Sequence, residues 1–211
     1  MKITVTTSNL YHHLLPVFFY LYDKYWNEPF DLVGYDKPLC ELPDNCTWVS
    51  LGVQGSVNDW SMDLRKYFEQ QEDCFIWLME DSFIKQPVNE LLLDEACAFM
   101  MPCVGRIDLT CDLMKREHDV VGRIATAGSK SRYRLSTQPS IWNRDFLLQY
   151  LTDGLTPWQF EVQDAQDENW NVIGLTERVV YHNEGVRKND PHKLDLNGVN
   201  DEDLRIIKNL V

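Results

Sequence analysis

Lys2 to Thr7 alternates polar and apolar residues with the period of a strand, Ser8-Asn9 follows as a helix-capping pair, and Leu10 to Trp26 is apolar enough for a buried helix. Asp31 to Tyr35 and Thr47 to Leu51 read as short strands separated by a loop rich in proline and aspartate, and Asp59 to Gln70 sets Trp60, Leu64, Tyr67 and Phe68 at helical intervals. Cys74 to Met79 departs from alternation. Its unbroken apolar run predicts a strand buried on both faces, ending abruptly in Glu80 and Asp81. Val88 to Met101 returns to helical spacing through Leu91, Leu92, Ala96 and Phe99, with Pro87 before it and Pro102 to stop it. The second half is less regular. Short strands are expected at Val104 to Leu109, Val120 to Ile124, Tyr133 to Leu135, Val172 to Leu175 and Val179 to His182, and helices at Ile141 to Leu151, Pro157 to Gln166 and Asp201 to Leu210.

Strands alternating with helices predict an α/β fold with a central, mainly parallel mixed sheet flanked by helices on both faces, since each parallel crossover needs a connecting element. No repeat or composition break marks a linker, so residues 1–211 are expected to form one domain, with the N-terminal part of a longer protein as the alternative reading. The net charge of −13 argues against a polyanion-binding surface, and nucleic acid is not an expected partner. No apolar stretch reaches the roughly 20 residues of a membrane helix, and the N-terminus lacks a signal-peptide pattern. A cytoplasmic location is therefore expected. The six cysteines form no CxxC pair and are expected to be reduced thiols, and Asn45-Cys46-Thr47 is a glycosylation sequon by chance.

Two carboxylates at the carboxyl end of a buried strand stand at the edge of a core, where open α/β sheets bind ligands. Hard oxygen donors there suit Mg²⁺ or Mn²⁺ with a phosphorylated substrate. The same pair would serve equally as a solvated turn or helix cap. Lys130, Arg132 and Arg134 alternate within a stretch of small residues, so that a strand or mobile loop would aim all three cations to one side, toward a diphosphate. Glu161 lies on a helix begun by Pro157 and anchored by Trp158 and Phe160. A carboxylate fixed in this way suits a general base for an acceptor hydroxyl or a sugar-binding group, and an ordinary solvated acid explains it as well.

The segments Thr6-Thr7-Ser8, Leu78-Met79-Glu80-Asp81, Tyr133 to Trp142 and Pro157-Trp158-Gln159-Phe160-Glu161 resemble, in order, the small nucleotide-sugar glycosyltransferases of the GT-A (Rossmann-like) fold. Within that family the chain looks most like the N-terminal transferase domains of capsid-glycan proteins of large algal DNA viruses. The resemblance departs at one point: the usual Asp-x-Asp triplet is Met79-Glu80-Asp81 here. It implies a UDP-sugar donor, Mn²⁺ or Mg²⁺, and a glycan or glycoprotein acceptor. Asp81 would be the main metal ligand, with Glu80 and a late His182 completing the shell, and Glu161 and Asp81 would carry the chemistry. Thr6, Ser8, Asp36, Arg65, Arg134 and Gln138 would bind the nucleotide or donor sugar. A nucleotidyltransferase acting on sugar phosphates, or a non-catalytic glycan-binding module, are the other readings. The first would require a Gly-rich loop with an adjacent Lys, which is not evident.

Overall fold

The computed structural model describes residues 1–115, 118–187 and 190–210. In chain order its elements are β1 (Lys2–Thr6), α1 (Leu15–Tyr25), β2 (Phe30–Gly34), β3 (Cys46–Ser50), α2 (Trp60–Phe68), β4 (Cys74–Met79), β5 (Ser82–Ile84), α3 (Glu90–Ala98) and β6 (Val104–Asp108). They continue with β7 (His118–Val121), β8 (Ile124–Ala127), β9 (Ser140–Asn143), α4 (Arg144–Tyr150), α5 (Pro157–Val162), β10 (Asn171–Leu175), β11 (His182–Glu184), β12 (Val186–Arg187), β13 (Asp190–Leu194) and α6 (Asp201–Ile207). The fold class is α/β, with mixed sheet and flanking helices. The chain sorts into two compact units, and β4 passes from one into the other after Trp77.

The first unit gathers residues 3–54, 78–88 and 180–211. Its strands β1, β2 and β3 pair parallel, Ile3 opposite Phe30 and Phe30 opposite Cys46. The β1-to-β2 crossover is made by a 3-10 turn, Asn9–Leu14, followed by α1. One face of α1 packs Phe18 and Tyr22 against Phe30, with the Tyr22 and Phe30 ring centroids 4.6 Å apart. At its far end α6 is tied to α1 by Asp203. This fully buried carboxylate accepts from Tyr20 Oη (2.6 Å), Lys24 Nζ (2.6 Å), Tyr25 Oη (2.5 Å) and Asn200 Nδ2 (2.7 Å). Burial alone would raise the Asp203 carboxyl, but these donors outweigh it and hold the group below its ordinary value. β5 forms a short antiparallel pair with β11.

The second unit gathers residues 1–2, 55–77 and 89–179. Its strands run in the order β4-β9-β6-β10-β8-β7. β6 and β10 pair parallel; β4 with β9, β6 with β9, β10 with β8 and β7 with β8 are antiparallel. Its core is aromatic: Trp77 and Trp142 are fully buried, with Trp60, Phe68 and Phe160 against Trp77. Arg106 is buried among them, its guanidinium over the Trp142 ring and its Nε donating to Ser140 Oγ at 3.0 Å.

Several expected elements are redrawn. The single strand expected over Val120 to Ile124 is the middle of a hairpin, turned at Gly122 with φ +62°. Tyr133 to Leu135 is a turn with Tyr133 itself at φ +59°, and the start of the expected helix at Ile141 is strand β9. Val179 to Tyr181 is irregular, with strand β11 beginning only at His182. Among the described residues no helix is long and apolar enough to cross a membrane.

Candidate functional site

The first unit collects Thr6, Ser8, Asp36, Glu80 and Asp81 at the carboxyl ends of its strands. β1 turns into the 3-10 segment through Thr6, Thr7 and Ser8. The Thr6 carbonyl accepts from Glu80 N–H (3.1 Å), Thr7 N–H donates to the Val33 carbonyl (2.9 Å), and the Ser8 carbonyl accepts from Tyr11 N–H (2.9 Å). Ser8 makes no side-chain capping bond, so the expected cap role is not what positions it. Thr6 is buried, with its hydroxyl directed at Met79 Sδ (3.2 Å). That hydroxyl donates into the interface between β1 and β4.

β2 ends at Gly34, and its lack of a side chain is required. A Cβ there would stand 2.8 Å from Thr7 Cγ2 and 3.1 Å from the Thr7 carbonyl. Two residues on, Asp36 and Asn9 clasp each other: Asn9 Nδ2 donates to Asp36 Oδ2 (2.6 Å) and Asp36 N–H to Asn9 Oδ1 (3.1 Å). Gln54 Oε1 then accepts from Asn9 N–H at 3.1 Å. The clasp leaves Asp36 exposed at the mouth of the strand ends.

The two acids after β4 face different surroundings. Glu80 is 2% exposed, with the Ser8 N–H and the Thr7 side chain as polar groups near its carboxyl. Burial pushes it well above the usual carboxylate range and the charge of Asp81 adds to the rise, against the pull of those groups. Asp81 is half-buried, and its carbonyl accepts from Phe83 N–H (2.9 Å) and Gly185 N–H (2.6 Å), tying the acid turn to the β11 side. Tyr11 reaches the same turn: burial raises its phenol, and the charges of Glu80 and Asp81 raise it further. His12, next along, is lowered by burial and partly restored by Asp36.

A divalent cation would need these residues to supply donors. Among the described residues no group of three or more His, Cys, Asp or Glu is arranged to hold a metal, so Asp81, Glu80 and His182 do not form the expected shell. His182 pairs with Ile84 at the far end of β5, three positions along from Asp81, which lies in the turn before that strand. Glu80 is turned inward. Asp81 alone fits, in the manner of hard cations held by one or two carboxylates and completed by substrate phosphates and water.

The remaining candidates lie in the second unit and are occupied with its own backbone. Arg65 Nη1 donates to the carbonyls of Leu148 and Leu151 (2.5 and 3.1 Å), and its Nε pairs with Glu69. Arg134 is 3% exposed and donates to the carbonyls of Ala127, Gly128, Asp167 and Trp170. It is thus a clamp inside the loop rather than the tip of a mobile lid, because a guanidinium with its donors spent on carbonyls has little left for a phosphate. Glu161 Oε1 accepts from both the N–H and hydroxyl of Thr137, each at 2.7 Å, and so holds the segment that carries Gln138. Gln138 N–H donates to Ser136 Oγ (3.4 Å) and its carbonyl accepts from Ser140 Oγ (2.7 Å).

No protein-family model matches the chain, and no curated protein matches it in sequence. Solved structures similar to it include the galactosyltransferase LgtC in complex with donor and acceptor sugar analogs, 11% identical with a TM-score of 0.44, over 71% of this chain and 60% of that one. An active-site mutant of LgtC matches with the same identity and TM-score, over 71% and 59%. The chain spans about 60% of the length of these structures. At that distance neither likeness bears on what this chain binds.

Sequence reasoning missed Thr7, Asn9, Tyr11, Gly34 and Gln54 as builders of the strand-end crevice. Only Gly34 carried a local signal, a glycine at a strand end, which marks a close backbone approach. The arrangement offers hydroxyl, amide and carboxylate groups around a polar corner, with one acid turned outward: groups suited to ribose hydroxyls and, through a cation, to phosphates.

Proposed function

We propose that the chain is a glycosyltransferase that moves a sugar from a nucleotide donor, UDP-linked, to a glycan acceptor with help from Mn²⁺ or Mg²⁺. The observation that supports this reading is the convergence within one unit of Ser8, Asp36 and Asp81 at the carboxyl ends of β1, β2 and β4. Strand ends of this kind are where open α/β sheets receive nucleotides. Asp81 would hold the cation, which stabilises charge developing on the departing diphosphate. The UDP base, and a capsid glycoprotein as the acceptor, rest on the sequence resemblance alone.

Calorimetric titration of UDP and GDP, each with and without Mn²⁺, tests the reading in wild type and in Asp81→Ala. Mn²⁺-dependent binding of UDP by wild type is expected, with at least a tenfold loss in the variant. If folded wild type binds neither nucleotide, the transferase reading falls and a metal-free glycan-binding module replaces it. Binding of a nucleoside triphosphate with release of pyrophosphate on adding a sugar phosphate would instead establish a nucleotidyltransferase.

A further inference from the structure

We infer that Gly185 is a positioning residue for Asp81: by bearing no side chain it brings its backbone N–H onto the Asp81 carbonyl and fixes the turn that carries the cation-holding carboxylate. The inference deepens the transferase reading and rests on it for the identity of the ligand.

The antiparallel register of β5 and β11 sets Phe83 opposite Asn183 and Ser82 opposite Glu184, so the next residues to meet are Asp81 and Gly185. There two donors share one acceptor. Gly185 N–H (2.6 Å) and Phe83 N–H (2.9 Å) both reach the Asp81 carbonyl, which has two lone pairs to receive them. Just before the acid, the Glu80 N–H holds the Thr6 carbonyl at 3.1 Å, so the chain is fastened before and after the Asp81 Cα. A single carboxylate that shares a cation with substrate phosphates and water takes its direction from the backbone beneath it. The close approach depends on the missing side chain at 185. Gly185 is buried, and a Cβ there would stand 2.6 Å from Phe83 Cζ, 2.8 Å from its Cε2 and 2.9 Å from its Cε1. Phe83 is fully buried, and a close-packed ring yields only by displacing its neighbours. With any side chain at 185 the backbone would retreat instead and draw its N–H away from the Asp81 carbonyl. Gly185 is itself backed from behind: its carbonyl accepts from Asp195 N–H (2.8 Å), and the Asp195 carbonyl accepts from Asn183 Nδ2 (2.9 Å).

The experiment titrates UDP, with and without Mn²⁺, into wild type, Gly185→Ala, Phe83→Leu and the double variant. Leucine lacks Cε1, Cε2 and Cζ, the three ring atoms that a Cβ at 185 would meet, so Phe83→Leu opens room for the added methyl. Gly185→Ala is expected to weaken UDP binding roughly tenfold or more with Mn²⁺ and to leave it within about threefold of wild type without Mn²⁺. Phe83→Leu should stay within about threefold of wild type under both conditions, and the double variant should recover to the same range. Unchanged binding in Gly185→Ala, an equal loss with and without Mn²⁺, or a double variant as weak as Gly185→Ala overturns the proposal. Hydrogen exchange of the amides at 185 and 83 reads the turn with no ligand present. Both should be protected in wild type, exchange roughly tenfold faster or more in Gly185→Ala, and regain protection in the double variant. A fast-exchanging Gly185 amide in wild type overturns the anchor even where no variant folds. Absence of UDP binding by wild type sinks the transferase reading, while the exchange result judges the anchor separately.

Discussion

Glu80 and Asp81 are adjacent in the chain and both acidic, yet the β1 corner divides their work. Glu80 is buried, its N–H bonded to the Thr6 carbonyl, and Asp81 stands half-buried in the turn beyond. Hydrophobic pattern alone located this pair, because an apolar run that ends in two acids is visible in sequence. Which acid turns inward was not visible, since it depends on β1, whose Thr6 carbonyl takes the Glu80 N–H from some 70 residues earlier in the chain. Arg134 and Glu161 illustrate the same limit. Their charges suggested phosphate and acceptor chemistry, but each is consumed by carbonyl, amide or hydroxyl partners of a loop whose path no local pattern announces. Gly34 carries a prediction at this scale. In Gly34→Ala the added methyl meets Thr7 and the Trp48 ring, which would stand 3.0 Å away. The strain should cost about 1–3 kcal/mol in a urea unfolding titration, typical of overpacking, and weaken UDP binding as the corner shifts.

Elements were legible where periodicity was long and the turn chemistry simple. β1, α1, β4, α2 and α3 fall within the expected segments because each carries several apolar positions in register. The failures are short strands. β5 and β11, three residues each, pair across nearly 100 residues of chain, too brief to show a period and held by partners no window contains. The β7–β8 hairpin was read as one strand because its two-residue turn holds a single glycine between apolar flanks, Val120-Val121 and Ile124-Ala125. The tie between α6 and α1 is a further element-scale feature, and it makes stability depend on acid. The Asp203 carboxyl is held below its ordinary value of 3.8, so its contribution is fully present above that pH. The contribution is lost as pH falls through the lower folded value. Asp203→Asn should lower stability by about 1–3 kcal/mol at neutral pH, as expected for hydrogen bonds to a charged group. Its thermal midpoint should also fall less steeply than that of wild type below pH 4.

At the scale of the molecule, 33 acids against 20 bases leave a net charge of −13, and this self-repulsion acts on both units. Raising salt from about 0.01 M to about 0.15 M shortens the Debye length from ~30 Å to ~8 Å, so the thermal midpoint should rise over that range. A scan that shows the midpoint flat or falling would mean that local ion pairs, such as Lys24 with Asp203, outweigh the global field. The α/β class was readable because alternation of strand and helix is a property of the whole chain. The division into two units was not, because the unit bearing the crevice is assembled from three separate segments. That assembly has a consequence for the order in which a ribosome delivers the parts. Tyr20 emerges 183 residues before Asp203, and β5 leaves the tunnel well before β11. At roughly 5–20 residues per second, the first strands wait on the order of ten seconds or more for the segments that cover them. Through that interval the α1 groups awaiting α6, and the β5 edge awaiting β11, stand open, so the unfinished chain exposes an unpaired strand edge until its last segments arrive.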